Sequence, residues 1–410
     1  MTAPDPLEKI SYLSMVWARM RKSRITVIGV WCIGALVLLA VYAPIVSLNQ
    51  PFYWNQGTGA EYPFFRGLFN RLLFENTVDI FFNLLLILGP AYVALFYAVK
   101  KRSGRRFFQV RIRLLLAIVA FHTLVLGAMT PQRPFGVENP LHHTEKVVNY
   151  TTLAEKLDAE GSDYSAVFPL RRYGYRDTDP GSSIKPPSNK HWLGTDSEGR
   201  DVFTRMLYGT RISLTIGVVA VMIYVSIGIF LGALAGYFGG WVDNLISRLI
   251  EVMICFPSFF LILTIAALIE QRSIFHVMAI IGLTGWTRVA RLIRAEFLKQ
   301  RSLEYVQAAV ALGVSRIRVI FRHILPNALA PVLVSATFGI GAAILVESGL
   351  AFLGVGDLTV ASWGETLSTG RVEKKAWLIL APGAAIFFVV SVFNLVGEGL
   401  RDALDPKLKH

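Results

Sequence analysis

Eight stretches of about 20 predominantly apolar residues constrain this chain more than anything else in it. They run approximately over 25–46, 78–98, 112–129, 212–235, 246–268, 274–290, 328–350 and 376–398. A run of that length crosses the hydrocarbon core of a bilayer as a helix, which satisfies every backbone N–H and C=O inside its own segment. The sixth is the weakest, being short and interrupted by Gly282, Gly285 and Arg288. Composition agrees. Of 410 residues, 54% are hydrophobic and 17% charged, against about 25% charged in soluble chains. The expected fold is an all-α integral membrane protein, a polytopic bundle of about eight transmembrane helices.

Charge orients the bundle. Arg19, Arg21, Lys22 and Arg24 precede the first span, which reads as an uncleaved helix with a cytoplasmic N-terminus. The stretch 99–113 holds Lys100, Lys101, Arg102, Arg105, Arg106, Arg111 and Arg113. The stretch 288–322 holds Arg288, Arg291, Arg294, Lys299, Arg301, Arg316, Arg318 and Arg322. Alternation over eight spans puts both basic stretches and the C-terminus in the cytoplasm. The net charge of +13 is therefore read as orientation and not as nucleic-acid binding. Cys32 and Cys255 lie in apolar spans as packing residues, with no disulfide framework. Residues 130–205 fall outside the cell, and the aromatic loop 48–76 reads as a membrane-interface segment.

Three motifs stand out. In the run Tyr305–Gly313, Ala308, Ala309 and Gly313 are small, and Ala309 and Gly313 are four apart, as on one helix face open to close approach. Arg322-His323-Ile324-Leu325-Pro326-Asn327 follows. The second motif is His191-Trp192-Leu193-Gly194-Thr195-Asp196-Ser197-Glu198-Gly199-Arg200-Asp201. Val202, Phe203, Met206 and Leu207 then share a helical face, which suits an amphipathic helix on the outer membrane surface. The motif reads either as a docking or gating element or as a capped turn anchoring the next span, with Asp196 or Ser197 as cap. The third runs from Glu347-Ser348-Gly349-Leu350-Ala351-Phe352-Leu353-Gly354, through Ser362-Trp363-Gly364 and Ala381-Pro382-Gly383, to Asn394–Pro406.

Together these motifs resemble the peptide/nickel (dipeptide/oligopeptide) family of ABC importer permeases, in its second, C-type subunit. Similarity is close over about 185–410 and looser at the first span and its basic leader. Gln307 stands where that family has Glu, His323 where Ile is usual, and Glu398 where Asp is common. The resemblance implies a loop that engages an ATPase through Gln307, Ala308, Ala309, Gly313 and Pro326. It implies a second homologous permease, two ATPase subunits or domains that bind the ATP, an extracytoplasmic substrate-binding protein, and a prokaryotic plasma membrane. The implied cargo is oligopeptides or dipeptides.

The expected organisation is a basic leader over 1–24 and a first span over 25–46. An aromatic loop with two inserted spans follows over 47–129, then an external region over 130–205 ending in an amphipathic helix. A permease core occupies 206–402, with a coupling loop at 288–327, and a tail occupies 403–410. Ionisable residues inside spans are candidates for function or pairing. Glu251 has Arg248 three residues away, and Glu347 is the candidate for the pathway or its gate, with Asp196, Arg200 and Asp201 outside it. Gly228, Gly232, Ala233, Ala235 and Gly236 suit tight helix packing. His142, His143 and His191 lack the spacing of a metal site. No phosphate-cradling loop or hydrolase motif occurs, so no catalytic residue and no cofactor of its own are expected. The rival readings are an ion-gradient-driven secondary transporter, for which Glu347 beside glycines is the hint, and a membrane enzyme using the loop histidines.

Overall fold

A computed structural model describes residues 12–57, 59–103, 114, 117–122, 125, 147–270, 272–357 and 359–404. In chain order its elements are α1 (Tyr12–Met20), α2 (Arg24–Val46), β1 (Tyr53–Asn55), α3 (Pro63–Gly67), α4 (Thr77–Ser103), α5 (Tyr150–Glu160) and β2 (Ser165–Val167). Then come α6 (Val202–Phe238), α7 (Gly240–Cys255), α8 (Ser258–Leu268), α9 (Ile274–Arg301), α10 (Glu304–Ala311), α11 (Arg316–Phe352), α12 (Trp363–Glu373) and α13 (Ala376–Leu404). Five of these, α2, α4, α6, α11 and α13, are long and apolar enough to cross a membrane. The expected span at 112–129 lies largely outside the described residues, as do 405–410.

The expected span 246–268 is two helices meeting at 81°. Pro257 explains the break: it has no N–H to donate, and it pushes Phe256 into an extended conformation (φ −91°, ψ 128°). Cys255 ends the first arm and is exposed, so it is no packing residue. The pair still serves as one traverse, because α6 and α9 run parallel. Gly228, Gly232 and Gly236 of α6 face Val289, Ile293 and Phe297 of α9, both series advancing four residues at a time. The chain between them must therefore come back along their length. A β-carbon on Gly228, Gly232 or Gly236 would fall 2.6 Å from Val289 Cβ, 2.5 Å from Ala290 O or 2.6 Å from Phe297 Cβ. The stripe of small residues is what lets the two backbones touch.

The other long helices alternate. Gly217 of α6 faces Ile340 and Ile344 of α11, while Gly339 faces Tyr224, so α6 and α11 are antiparallel. Gly397 of α13 meets Phe338, and Gly341 of α11 meets Val390. Gly29 of α2 meets Val396, and Gly399 meets Thr26. The start of α2, the loop after α9 and the end of α13 consequently share one end of the bundle. Arg19 of α1 closes this end by donating to the Ala403 carbonyl at 3.2 Å.

At the opposite end the segments before and after α4 fold together. β1 pairs antiparallel with β2, Trp54 opposite Ala166. Trp54 is 3% exposed and packs on Tyr150, Tyr164 and Phe168 at centroid distances of 5.0, 5.0 and 6.3 Å. The aromatic loop is thus mostly the core of a small folded unit and not a membrane-interface segment: Phe64 and Phe74 are buried too, while of its described aromatic side chains Tyr62 and Phe65 are exposed. The expected amphipathic helix also differs. Val202–Leu207 are the first turns of the 37-residue α6, with Val202 and Leu207 buried, so a boundary at 205/206 falls inside one helix. Expected pairing of Arg248 with Glu251 is present at 2.6 Å on an exposed face.

The seam between α6 and α9 makes a prediction. Gly232→Val should destabilise the protein by about 1–3 kcal/mol through overpacking, whereas Gly34→Ala, which meets no atom within 4 Å, should leave stability unchanged. Thermal unfolding of the two purified variants in detergent checks this, and equal melting would refute the seam.

Candidate functional site

Three sets of polar residues hold the ends of the bundle. The first begins where α6 starts. Asp201 is its N-cap: Oδ1 accepts from Thr204 N and from Thr204 Oγ1, both at 2.8 Å. Oδ2 lies 2.9 Å from His191 Nδ1 and 3.7 Å from Arg171 Nη2. Asp196, one of two expected caps with Ser197, instead closes the preceding turn by accepting from Glu198 N at 3.0 Å and Arg200 N at 2.9 Å. Its second oxygen accepts from Arg200 Nε at 2.7 Å. Arg200 and Arg205 both reach Glu365 of α12. Gly199, at φ +75°, lies so close to the Asp179 carbonyl that a β-carbon would sit 1.9 Å from it, so only glycine makes this turn. Asp196, Arg200 and Asp201 are each no more than 9% exposed. The capped-turn geometry is therefore the observed one, joined to α12 by buried ion pairs.

The second set escaped the sequence analysis. Arg211, fully buried on α6, donates from Nε to the Ala40 carbonyl at 2.7 Å, and from Nη2 to Asn83 Oδ1 at 2.9 Å. Its Nη1 meets Asp79 Oδ1 at 3.1 Å. Tyr175 donates to the other Asp79 oxygen at 3.1 Å, and Ser47 Oγ lies 2.7 Å from Thr204 Oγ1. One side chain thus joins α2, α4 and α6. An aspartate one residue inside a predicted span was the available signal. Glu347, in the C-terminal half of α11, is 5% exposed and accepts from Ser348 Oγ at 3.3 Å. It sits in an uninterrupted helix, without a kink at Gly349. His191 is committed to Asp201 and stacks on Tyr173, while His142 and His143 lie outside the described residues. Among the described residues no cluster of three metal-ligating side chains occurs.

The third set is the loop between α9 and α11. Helix α10 stops at Ala311, and Leu312 caps it. Gly313 N donates to Val310 O at 3.0 Å and Val314 N to Ala309 O at 3.1 Å, with Gly313 at φ +75°. These two bonds form a Schellman stop, which needs a left-handed residue at the glycine position. Gly313 therefore does not share a helical face with Ala309. Ala309 is buried against the bundle, Ala308 is exposed, and Leu312 is 83% exposed. Gln307 donates to the Ser302 carbonyl at 3.2 Å, a bond that a carboxylate cannot make. The Tyr305 hydroxyl bridges Gln300 Oε1 at 2.6 Å and the His323 carbonyl at 3.2 Å. Val319–Ile324 is wound as a wider π-helical turn directly ahead of Pro326, whose ring would clash with the carbonyl four residues back in a regular helix.

Comparison with known proteins supplies the class. Residues 228–410 match the family described as "Binding-protein-dependent transport system inner membrane component". Residues 11–60 match the "N-terminal TM domain of oligopeptide transport permease C". The dipeptide transport system permease protein DppC of Alkalihalophilus pseudofirmus is 44% identical over 243 residues, covering 58% of this chain and 80% of that protein. The oligopeptide transport system permease protein OppC of Bacillus subtilis is 37% identical over 241 residues, covering 58% and 79%. The glutathione transport system permease protein GsiD of Pectobacterium atrosepticum is 39% identical over 226 residues, covering 54% and 75%. This chain belongs to the ABC importer permeases of the peptide-transport family, C-type branch. It is a multi-pass inner-membrane transport subunit of bacterial type, not an enzyme, and such permeases work with an ATPase and a substrate-binding protein. The ion-gradient-driven alternative does not fit these relatives.

Two predictions follow from these contacts. Arg211→Met should cost about 3–5 kcal/mol by stranding buried Asp79, and adding Asp79→Leu should recover part of that loss. A double-mutant cycle on thermal unfolding measures the coupling, and strict additivity would contradict the pairing. Gly313→Ala should destabilise the loop turn by about 1 kcal/mol, and Gly313→Asn by less, because asparagine tolerates the left-handed region. Hydrogen exchange at the Val314 amide should quicken in the order glycine, asparagine, alanine.

Proposed function

We propose that this chain forms one half of the translocation pathway of an importer for dipeptides or oligopeptides. A second homologous permease supplies the other half, and two ATPase subunits or domains bind at the end that carries α10. That end is the cytoplasmic one, as the basic residues at 288–322 require. A binding protein delivers cargo to the opposite end. The cargo class rests on the dipeptide and oligopeptide permeases among the relatives.

The observation that carries the coupling role is the exposed tip of the α9–α11 connection. Ala308, Val310 and Leu312 face outward from a short helix whose inner face is packed down by Val306 and Ala309. Exposed apolar side chains on a braced loop between two long helices suit a partner that pushes and pulls on it. Closure of the ATPase pair then displaces α10, and the two permeases swing between inward- and outward-open arrangements as rigid bodies. Pro326 with its π-helical turn forms the base of α11 within this lever. Glu347 is assigned beside the outer pathway. Asp196, Arg200 and Asp201 are assigned to the fixed frame around the outer gate.

The assembled complex in proteoliposomes tests this. Uptake of labelled peptide should need ATP and the binding protein, and an imposed proton or sodium gradient should not replace ATP. Leu312→Asp should lower ATP-driven uptake at least about tenfold, the loss of an interface hot spot, while melting as the unmodified complex does. Uptake within twofold of normal would remove Leu312 and the α10 tip from the coupling surface.

A further inference from the structure

The inner end of the bundle carries a basic feature that neither the ion-pair networks nor the coupling loop uses. A groove of about 500 Å³ opens between α9, α11 and α13. Arg288 and Arg291, three apart on α9, share one of its walls, and Arg401 enters from the last turn of α13. Leu292, Val334 and Phe338 make the rest largely apolar, and no carboxylate lines it. Among the described residues none of the three guanidiniums makes a hydrogen bond or an ion pair. Neighbouring arginines behave otherwise: Arg294 is held by both oxygens of Asp243, and Arg301 donates to the Tyr237 carbonyl at 3.0 Å. Glu398, one turn from Arg401, does not reach the groove.

Depth in the membrane narrows the occupant. Gly399 packs on Thr26, just inside the start of α2 at Arg24. Arg401 therefore lies level with the end of the first apolar run, where headgroups begin. Phe338 packs against Gly397, one turn further in. The groove thus offers Arg401 at headgroup level, Arg291 and Arg288 on the wall of α9 leading inward from it, and apolar side chains beside them. A guanidinium fork matches phosphate oxygens two at a time, and basic pockets between spans on the cytoplasmic side take anionic headgroups. Free phosphate shares that chemistry but would leave Leu292, Val334 and Phe338 uncovered. We propose that the groove holds the phosphate of an anionic phospholipid, with an acyl chain along Leu292, Val334 and Phe338.

Native mass spectrometry of the complex, purified in mild detergent and offered equal phosphatidylglycerol and phosphatidylcholine, tests this. The expected result is preferential retention of phosphatidylglycerol, weakened about fivefold for each guanidinium removed in Arg288→Gln/Arg291→Gln. Melting should be unchanged, because these arginines are exposed and unpaired. If the double variant melts lower, Arg401→Gln on a separate helix carries the test. Equal retention of the two lipids, or undiminished phosphatidylglycerol binding in a folded variant, overturns the proposal. Displacement of phosphatidylglycerol by excess inorganic phosphate overturns it in favour of a free-anion site. Cross-linking of Ser335→Cys to the companion permease overturns it in favour of a subunit interface.

Discussion

Arg211 is the contact on which the end of the bundle opposite α10 depends. A guanidinium placed at the membrane boundary with no exposure is tolerable only if its donors are taken. Ala40 O, Asp79 and Asn83 take them, and each comes from a different part of the chain from α6 itself. Helix α4 is thereby fixed to α6 by a buried charge pair as well as by apolar contact. Tyr175 on Asp79, and Ser47 against Thr204, extend the same junction into the extramembrane unit. A helix that brought only apolar surface would slide freely in lipid, which solvates such surface as well as another helix does.

The inner half solves a different problem with a different device. Helices α6 and α9 gain little from apolar burial inside a bilayer, so close backbone approach and dispersion must hold them. The glycines at 228, 232 and 236 provide that approach, and the β-branched Val289 and Ile293 fill the opposing surface with rigid side chains. Because the seam is parallel, α7 and α8 are forced to return between its ends, and Pro257 sets where they turn. The bent pair is therefore a consequence of the seam combined with one proline.

Much of this was legible in the residues, and the misses have physical causes. Apolar run lengths located the long helices, since hydrocarbon thickness leaves few alternatives. The stripe Gly228–Gly236 was read correctly because packing glycines recur at helical spacing. Gly313 was misplaced because a spacing of four has meaning only while the helix continues, and a glycine that ends a helix breaks that premise. The cap is Asp201 and neither Asp196 nor Ser197, and it stands immediately before the apolar face that begins at Val202. The aromatic loop 48–76 was assigned to the membrane interface because its composition fits either site. Only the pairing of Tyr53–Asn55 with a strand more than 100 residues later distinguishes a core. Asp79 is marked by its place at the start of an apolar run, but nothing local joins it to Arg211, 132 residues away.

These constraints also determine how a displacement at α10 can travel. Helix α9 enters the loop fused along its length to α6, and α11 leaves it packed on both α6 and α13. The loop itself is braced: Tyr305 ties it to Gln300 and His323, and Gln307 ties it to Ser302. At the far end α6 is anchored through Asp201 and Arg211, and Arg200 and Arg205 bind α12. Deforming any one helix would break buried charge-assisted bonds or open a seam with no slack, each costing several kcal/mol. Tilting the bundle as a unit breaks none of them. Under the proposed coupling, the cheaper response to a pull on α10 is therefore rotation of the whole subunit, because no bond or seam inside this chain has to yield. A transporter that must open alternately to two sides would then need its weakest packing outside this chain, at the surface it shares with the proposed second permease.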